Sequence, residues 1–388
     1  MIEFKPLVPG KAPADTTVVV AMSGGVDSSV AAAICQKAGY KTIGITLQLW
    51  DYTPASEGGK QFGTCCALDD VYDARRVCQT IGIPHYTLDY ESEFKEAVVD
   101  DFVETYLAGA TPIPCVRCNQ RIKFDSLLNK AKALGADVLV TGHYVRKEVK
   151  DGKARLLTGV DLNKDQSYFL FTTTQEQLEF TDFPLGYVSK DVTREVAKEL
   201  GLHVHAKKDS YDICFVPGGD YRKVVRKHAK EAIESGNIVT TDGEVIAQHE
   251  GILDYTVGQR KGLGGGFGVP MYVVEIRPQA KEVVVGPKEA LGTKVFTVKE
   301  LNWIGEDGWD GKEVTVKVRN QHTPAPATLK NLGSGRVEVT MYTPEQQVSP
   351  GQAAVFYEDE RLLGGGWIEV PESARLAKPT KVSIQMAG

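Results

Sequence analysis

The sequence predicts an α/β protein in which a doubly wound parallel sheet is followed by a small mixed central domain and a C-terminal antiparallel β-barrel. Three patterns lead to this prediction. Apolar runs alternate with amphipathic segments as far as about residue 174, a basic helix and short strands follow, and beyond Gly292 the helical periodicity stops. We expect the domains to span residues 1–217, 218–290 and 291–372, followed by a tail at 373–388.

A strand, a turn and a helix are predicted in the segment TVVVAMSGGVDSSVAAAIC, residues 17–35. Because Gly24 and Gly25 let the backbone approach a ligand, and the N-terminus of the helix after Val26 presents unpaired amides, the turn is suited to a polyphosphate. The motif lacks the lysine of a Walker loop and does not match GxGxxG. Asp27 stands in place of that lysine, so we expect Mg²⁺ between its carboxylate and the phosphates.

Four further apolar runs predict the other strands of the sheet, at residues 41–50, 84–90, 136–144 and 167–173, with helices between them at 68–82, 91–109 and 121–135. Ligands of such sheets lie beyond the carboxyl ends of the strands. We therefore expect Leu47, Gly142 and His143 to face the phosphate-binding turn, although Leu47 is equally compatible with a position in the core.

A second informative segment, TPIPCVRCNQRIKF, covers residues 111–124 and contains a Cys-x-x-Cys pair. Two prolines predict an extended chain before the pair. Cys118 is expected at the start of the following helix, where the helix amides and three basic side chains favour its thiolate: Arg117, Arg121 and Lys123. A third sulfur, Cys214, lies in a polar segment after the sheet. A lone Cys-x-x-Cys is also compatible with half of a zinc site or with a redox pair.

The four other cysteines differ in pattern. Cys35 and Cys78 fall on apolar helix faces and are expected to be packing residues. The adjacent pair Cys65 and Cys66 lies in a glycine-rich loop, and its role stays open. Seven cysteines in a long chain argue against a structural disulfide framework and for thiol or metal chemistry at some of them.

Composition predicts a cytoplasmic protein of two or three domains. The chain has 388 residues and a formal net charge of −6, and it shows neither a secretory signal pattern nor an apolar run that could span a membrane. A nucleic-acid partner would therefore bind local basic patches. One such patch is predicted on the helix at 221–236 and the segment after it: Arg222, Lys223, Arg226, Lys227, Lys230, Arg260 and Lys261. A solvated helix face is the alternative for any one of these residues.

The motif SGGVDSS resembles the signature of the PP-loop ATP pyrophosphatases, which cleave ATP between its α and β phosphates. A longer ordered set is more specific: TPxPxxxCN followed by IKF, TGHY, DQSYFL, KDSxxICF and TVGQRKGLG. This set resembles the bacterial and mitochondrial tRNA-specific 2-thiouridylases from about Val18 to Glu369. The resemblance implies an enzyme that adenylates the C2 oxygen of the wobble uridine of tRNA and replaces that oxygen by sulfur, releasing AMP and pyrophosphate.

The resemblance also implies roles for individual residues. Asp27 would belong to the catalytic machinery, Cys118 would be the nucleophile, and Cys214 would carry persulfide sulfur. A disulfide between the two cysteines would form in the reaction and be reopened by a reductant. ATP would be bound by Ala21, Met22, Ser23, Gly24, Gly25, Val26, Asp27, Ser28, Leu47 and Gly142. tRNA would be contacted by Ile113, Pro114, Cys115, His143, Lys164, Asp165, Gln166, Arg319, Asn320 and Gln352. The implied partners are the Lys, Glu and Gln tRNAs and a sulfur relay fed by a cysteine desulfurase.

Three alternatives stay open. Cys115 departs from a common form of the family, in which aspartate occupies this position. The thiolates of Cys115, Cys118 and Cys214 could ligate a four-iron four-sulfur cluster that leaves one iron open for sulfide. The second alternative is another PP-loop enzyme that adenylates a small molecule, which would have no use for these cysteines or for the basic helix. The third is a non-catalytic RNA-binding module that holds nucleotide as a structural ligand.

Overall fold

The computed structural model describes residues 6–50, 68–209, 212–229, 234–263, 268–305 and 308–369. Two compact units are present. The first is built from Met1–Val99, Pro114–Gly219 and Glu360–Leu362, and the second from Asp100–Ile113, Asp220–Asp359 and Leu363–Gly388. Cys65, Cys66, Lys230 and the tail from residue 373 lie outside the described residues. The domain limits predicted from the sequence stay a prediction.

The first unit contains the predicted parallel sheet. Its strands are β1 (Thr17–Ala21), β2 (Lys41–Gln48), β3 (His85–Asp89), β4 (Val138–Val140) and β7 (Thr181–Asp182), in the order β3-β2-β1-β4-β7. All neighbouring pairs are parallel, with Val19 between Ile43 and Leu139. β1 is central and its valines are fully buried, as expected for a β-branched run covered on both faces. The predicted fold class is therefore confirmed for this part of the chain.

Helices cover this sheet. They are α1 (Val26–Lys37), α2 (Leu68–Ile81), α3 (Glu91–Phe94) with a π-helical continuation (Lys95–Asp100), α5 (Pro114–Arg117) with a π-helical continuation (Cys118–Leu127), α6 (Leu128–Ala133), α7 (Gln175–Phe180) and α8 (Lys190–Glu199). α4 (Asp101–Leu107) belongs to the second unit. The alanines of α1 are buried, so the helix lies close to the sheet. Cys35 and Cys78 are in the same core, and burial raises the pKa of Cys78 to about 12, which confirms both as packing residues.

Two predictions for this unit were wrong. Residues 167–173 do not form a strand: Ser167–Leu170 is a 3₁₀ turn, because the Asp165 carboxylate accepts hydrogen bonds from the backbone and hydroxyl of Ser167 and so satisfies the chain locally. The cysteine helix begins at Pro114 instead of after Cys118, since proline fits the first helical turn. An antiparallel hairpin, β5 (Val145–Lys150) and β6 (Lys153–Thr158), was not predicted.

The second unit begins its main segment with the basic helix α9 (Tyr221–His228), which ends earlier than predicted. Tyr221 stacks on Tyr106 of α4 with ring centroids 4.5 Å apart. A four-stranded sheet follows, with the order β10-β11-β8-β9. Its strands are β8 (Gly236–Thr240), β9 (Val245–His249), β10 (Tyr272–Arg277) and β11 (Glu282–Gly286).

The predicted C-terminal barrel is confirmed. Its strands are β12 (Thr293–Trp303), β13 (Glu313–Lys317), β14 (Ala325–Gly333), β15 (Arg336–Glu345), β16 (Ala353–Glu358) and β17 (Arg361–Glu369). β12 pairs with both β15 and β17, which closes the sheet on itself. β14 was missed because Pro324 and Pro326 suggested a loop, but Pro326 is accommodated opposite Thr315 of β13.

The remaining short turns are 3₁₀ helices at Pro13–Asp15, Pro184–Tyr187, His203–Ala206, Pro217–Gly219, Ile252–Asp254 and Lys288–Leu291. Within the residues that the structure describes, no helix combines the length and the apolar character that a bilayer crossing requires.

Candidate active site

The loop between β1 and α1, residues 21–28, is tightly constrained. Gly24 has a φ of +70°, and a Cβ atom there would lie 2.1 Å from the carbonyl oxygen of Asp70, so only glycine fits. Inside the loop, the amide of Ser23 donates to Oγ of Ser28 at 3.1 Å. Oγ of Ser29 donates to the carbonyl of Gly25 at 2.7 Å. The amides at the start of α1 are thereby held in a fixed cradle of the kind that binds phosphate.

Gly142 follows β4 and lies against this loop. A Cβ atom at Gly142 would be 2.8 Å from the amide nitrogen of Ser28 and 2.9 Å from the backbone carbon of Asp27. Leu47, the penultimate residue of β2, is buried beside the core, as are Met22 and Val26 within the loop. Ala21 is the last residue of β1 and is half-buried. The sequence-predicted ATP residues therefore belong to one face of the sheet or to its core, and their contact with ATP stays a prediction.

Asp27 has a charged partner that the sequence did not reveal. Nζ of Lys190 lies 2.7 Å from one carboxylate oxygen of Asp27 and 2.8 Å from the other. The hydroxyl of Tyr144 donates to the first oxygen at 2.8 Å. Burial and the charge of Asp27 raise the pKa of Tyr144, so the phenol stays a donor at neutral pH. The requirement for Mg²⁺ beside Asp27 stays a prediction, since a lysine already supplies positive charge there.

Asp209 extends this ion-pair network. Its carboxylate accepts from Lys164 at 2.7 Å and from Arg194 at 2.7 Å, and Lys190 lies 2.9 Å away. Partial burial opposes the ionised form of Asp209, but hydrogen bonds from Lys164 and Lys190 outweigh it and lower its pKa to about 2. Asp209 is therefore a carboxylate at every physiological pH, and it holds three cations beside Asp27.

The network predicts acid sensitivity. Because the pKa of Asp209 is lowered on folding, its contribution to stability is present above the unfolded pKa of about 3.9 and is lost as the pH falls toward about 2. We expect the urea midpoint of the wild type to fall between pH 5 and pH 3, by an amount that includes about 1 kcal/mol from Asp209 after solvent screening. In Asp209→Asn this part of the pH dependence should be absent. A variant with the wild-type pH profile would contradict this assignment.

Lys207 fixes the other side of the loop. Its Nζ donates to the carbonyl of Gly24 at 3.0 Å and to the carboxylates of Asp70 and Asp73 at 2.5 and 2.6 Å. The ring of His203 lies 2.9 Å from Asp73. Lys207 and Asp209 stand only a few residues before Cys214, so the chain segment that leads to this cysteine is bonded to the loop at one point and to its ion-pair network at another.

Removing the Lys207 ammonium is expected to loosen the loop. Lys207→Met leaves two carboxylates of α2 without this cation, which should destabilise the fold by about 1–3 kcal/mol. It should also weaken binding of an ATP analogue several-fold, because Gly24 loses its restraint. Urea unfolding and calorimetric titration measure the two effects. Lys198→Met, on an exposed position of α8, is the control, and equal behaviour of the two variants would contradict the role given to Lys207.

The cysteines occupy two different environments. Cys115 is exposed in the first turn of α5, whereas Cys118 is buried where the helix becomes π-helical. Cys214 is half-buried, and Phe215 beside it packs between Trp50 and Phe94, with ring centroids 6.1 and 5.7 Å away. The aromatic contacts anchor the Cys214 segment in the core of the first unit.

The cluster alternative is not supported by this geometry. Within the described part of the chain, which includes Cys115, Cys118 and Cys214, no three His, Cys, Asp or Glu side chains are grouped as metal ligands. The three thiols that a four-iron cluster would need are thus not assembled as a ligand set in this structure.

Asp165 and Gln166 hold internal structure. The side-chain oxygen of Gln166 accepts from the amide of Tyr144 at 2.9 Å, and the Asp165 carboxylate accepts from the amide of Gly159 at 3.1 Å. His143 bonds to Thr141 at 2.8 Å between Phe124 and Phe183. Burial and the charge of Lys123 lower the pKa of His143 well below its usual value, so its ring is neutral. A contact of these residues with tRNA stays a prediction.

In the second unit, the side chain of Gln352 donates to the carbonyl of Thr111 at 3.0 Å, and the amide of Thr111 donates to Pro350 at 2.9 Å. These bonds fix the chain just before the buried residues Ile113 and Pro114.

Arg319 braces a loop of the same unit through Ser349 at 2.7 Å and Gln347 at 3.0 Å. Asn320 is half-buried, and its side-chain oxygen has no hydrogen-bond partner among the described residues. Sequence reasoning named Arg319, Asn320 and Gln352, and the structure adds an intramolecular role for two of them.

Comparisons with known proteins cover nearly the whole chain. Three family models match in series: a tRNA methyl transferase HUP domain at residues 16–218, a tRNA methyl transferase PRC-barrel domain at 222–287, and an aminomethyltransferase β-barrel domain at 293–368. Proteins named tRNA-specific 2-thiouridylase MnmA are close relatives. The one from Paracoccus denitrificans is 52% identical over 92% of both chains. The one from Rickettsia massiliae is 51% identical over 91% of this chain and 96% of its own.

Similarity to solved structures is weaker. An NMN synthetase from Francisella tularensis covers 56% of this chain and 78% of its own, with 17% identity and a TM-score of 0.32.

Proposed function

Because this chain belongs to the tRNA-specific 2-thiouridylase family and is thus a tRNA sulfurtransferase, we propose that the loop at residues 21–28 binds ATP and that Cys118 and Cys214 deliver the sulfur. One observation carries the proposal. The segment that leads to Cys214 is bonded to the phosphate-type loop through Lys207 and to Asp27 through Asp209 and Lys190. Nucleotide chemistry and sulfur chemistry are therefore linked within one unit.

ATP activates the base in the first step. The C2 oxygen of uridine is a poor leaving group, so it attacks the α phosphorus of ATP, the bond to the β phosphate breaks, and pyrophosphate leaves. The amides at the N-terminus of α1 face the phosphates and stabilise the negative charge that grows on pyrophosphate. Mg²⁺ would come with ATP and neutralise part of the phosphate charge. Asp27, next to the loop, is held by Lys190 and Tyr144 throughout.

Sulfur replaces AMP in the second step. The terminal sulfur of a persulfide on Cys214 attacks C2, and the bond from C2 to the AMP oxygen breaks. The thiolate of Cys118 then attacks Sγ of Cys214, which releases the transferred sulfur as the 2-thiocarbonyl and leaves a disulfide between the two cysteines. A dithiol reductant must reduce that disulfide before the next turnover. Cys115 takes no part in this route.

Recognition of tRNA is proposed for three groups of residues. The first lies around the cysteine helix, at Ile113, Pro114 and Cys115. The second comprises His143, Lys164, Asp165 and Gln166, and the third comprises Arg319, Asn320 and Gln352. The helix α9 adds exposed positive charge, part of which is paired, since Arg226 bonds to Asp254 at 2.8 Å. We propose the wobble uridine of the Lys, Glu and Gln tRNAs as target, a cysteine desulfurase relay as sulfur source, and the cytoplasm as location.

A pyrophosphate-release assay tests this function against its main alternative. We expect the enzyme to release pyrophosphate from ATP only when a tRNA with an unmodified wobble uridine is present. A transcript with cytidine at that position is the matched control and should give the background rate. Release of pyrophosphate at the full rate without tRNA would instead indicate a PP-loop enzyme that adenylates a small molecule. Tight tRNA binding with no ATP turnover would indicate a binding module.

A further inference from the structure

Lys190 is a buried lysine whose charge is placed beside the candidate ATP loop. It is the first residue of α8, its side chain is 9% exposed, and its ammonium lies between Asp27 and Asp209. Lysine is rarely buried to this extent unless it is paired. The position of Lys190 is fixed further by its backbone amide, which donates to the carboxylate of Asp161 at 3.0 Å.

The two carboxylates that share Lys190 differ in their other partners. Asp209 also binds Lys164 and Arg194, so it would keep two cations if Lys190 were removed. Among the described residues, Lys190 is the one cation within ion-pair distance of Asp27, and the other contact of Asp27 is the neutral phenol of Tyr144. Loss of Lys190 would therefore leave the uncompensated charge on Asp27.

An uncompensated Asp27 would oppose ATP binding in two ways. Its charge would repel the phosphates at short range, where Coulomb energies are large. Since Asp27 lies in the first turn of α1, its carboxylate would also compete with the phosphates for the positive end of the helix. The observed pairing prevents both effects, because Lys190 contacts both carboxylate oxygens.

We propose that Lys190 is a positioning residue for ATP activation: it neutralises Asp27 and holds its carboxylate away from the phosphate cradle, so that the triphosphate can bind. The proposal rests on the ATP site proposed above. No bond is made or broken at Lys190, and the ammonium keeps its proton. A purely structural role for Lys190 differs in its consequence, since restoring neutrality at Asp27 would then not restore nucleotide affinity.

The test is calorimetric titration with α,β-methylene-ATP and Mg²⁺, an analogue that resists cleavage between the α and β phosphates. We expect K190M to bind the analogue at least about tenfold more weakly than the wild type, a difference of about 1.4 kcal/mol. The double variant K190M/D27N, in which the site is neutral again, should bind within about threefold of the wild type. K190R should keep most of the affinity.

Lys147→Met is the matched control, because Lys147 is another partly buried lysine of the first unit whose ammonium binds the backbone carbonyls of Glu179 and Thr181. It should bind the analogue as the wild type does. If K190M does not fold, the double variant and K190R carry the test. A double variant as weak as K190M, or ten times weaker than D27N alone, would overturn the proposal, as would wild-type affinity in K190M. Failure of the wild type to bind the analogue would instead overturn the ATP site itself.

Discussion

Cys118→Ser is expected to reduce formation of 2-thiouridine by roughly a thousandfold or more, the range found when a nucleophile is removed. A serine hydroxyl is not ionised at neutral pH and cannot form the disulfide that releases sulfur from Cys214. Cys118 is buried, and serine is close to it in volume, so the fold should be retained. Single-turnover thiolation of a wobble-uridine tRNA, quantified by mass spectrometry of nucleosides, measures the effect. AMP formation should persist, because activation of the base precedes the sulfur step.

Two other cysteine variants complete that experiment. Cys78→Ser is the control for loss of a buried thiol, since Cys78 lies in the hydrophobic core of the first unit, and it should thiolate tRNA at the wild-type rate despite a lower stability. Cys115→Ser decides between the two sulfur routes, provided that iron and acid-labile sulfide are quantified after anaerobic purification. The persulfide route requires that Cys115→Ser keep its activity and that no iron be present. Joint loss of iron and activity in Cys115→Ser, Cys118→Ser and Cys214→Ser would show that a cluster is used.

Gly24→Ala is expected to have the second large effect. The added Cβ would lie 2.1 Å from the Asp70 carbonyl oxygen, and the φ of +70° is unfavourable for alanine, so the loop or α2 must move. We expect a loss of about 3 kcal/mol in the free energy of unfolding and a drop of at least about tenfold in affinity for α,β-methylene-ATP. Urea unfolding and calorimetry provide the two values.

The neighbouring glycine gives the matched control. Gly25 has a φ of −89°, and a Cβ atom there would meet only Oγ of Ser23 at 3.5 Å, which is ordinary contact. Gly25→Ala should therefore unfold at nearly the wild-type urea concentration. Equal stability of the two alanine variants would contradict the packing described for Gly24.

Sequence patterns predicted the local features of this protein well. β1, the glycine turn and α1 follow from a β-branched run, two glycines and an alanine-rich segment that all lie within nineteen residues of each other in the chain. The barrel follows in the same way from alternating strands. Errors arose where one side chain changed the local hydrogen bonding. Asp165 turns the apolar run after it into a 3₁₀ helix, and Pro326 lies within a strand that its presence argued against.

The ion-pair network beside Asp27 could not be predicted from such patterns. Lys190 and Asp27 are 163 residues apart, and Lys207 and Gly24 are 183 residues apart. No periodicity connects residues at that separation, because the contact depends on how α8 and the segment after it pack against the loop. The sequence did indicate that the charge of Asp27 needs a cation nearby. The structure provides a lysine for that purpose, and the argument for Mg²⁺ now rests on the phosphates of ATP.

The most direct test of the whole account is the stoichiometry of a single turnover. Enzyme carrying persulfide sulfur is mixed with ATP and a wobble-uridine tRNA, and AMP, 2-thiouridine and the Cys118–Cys214 disulfide are quantified in the same sample. The account predicts one AMP and one disulfide for each 2-thiouridine formed. Formation of 2-thiouridine without AMP would contradict the adenylation step, and formation with both cysteines still reduced would contradict the role given to Cys118.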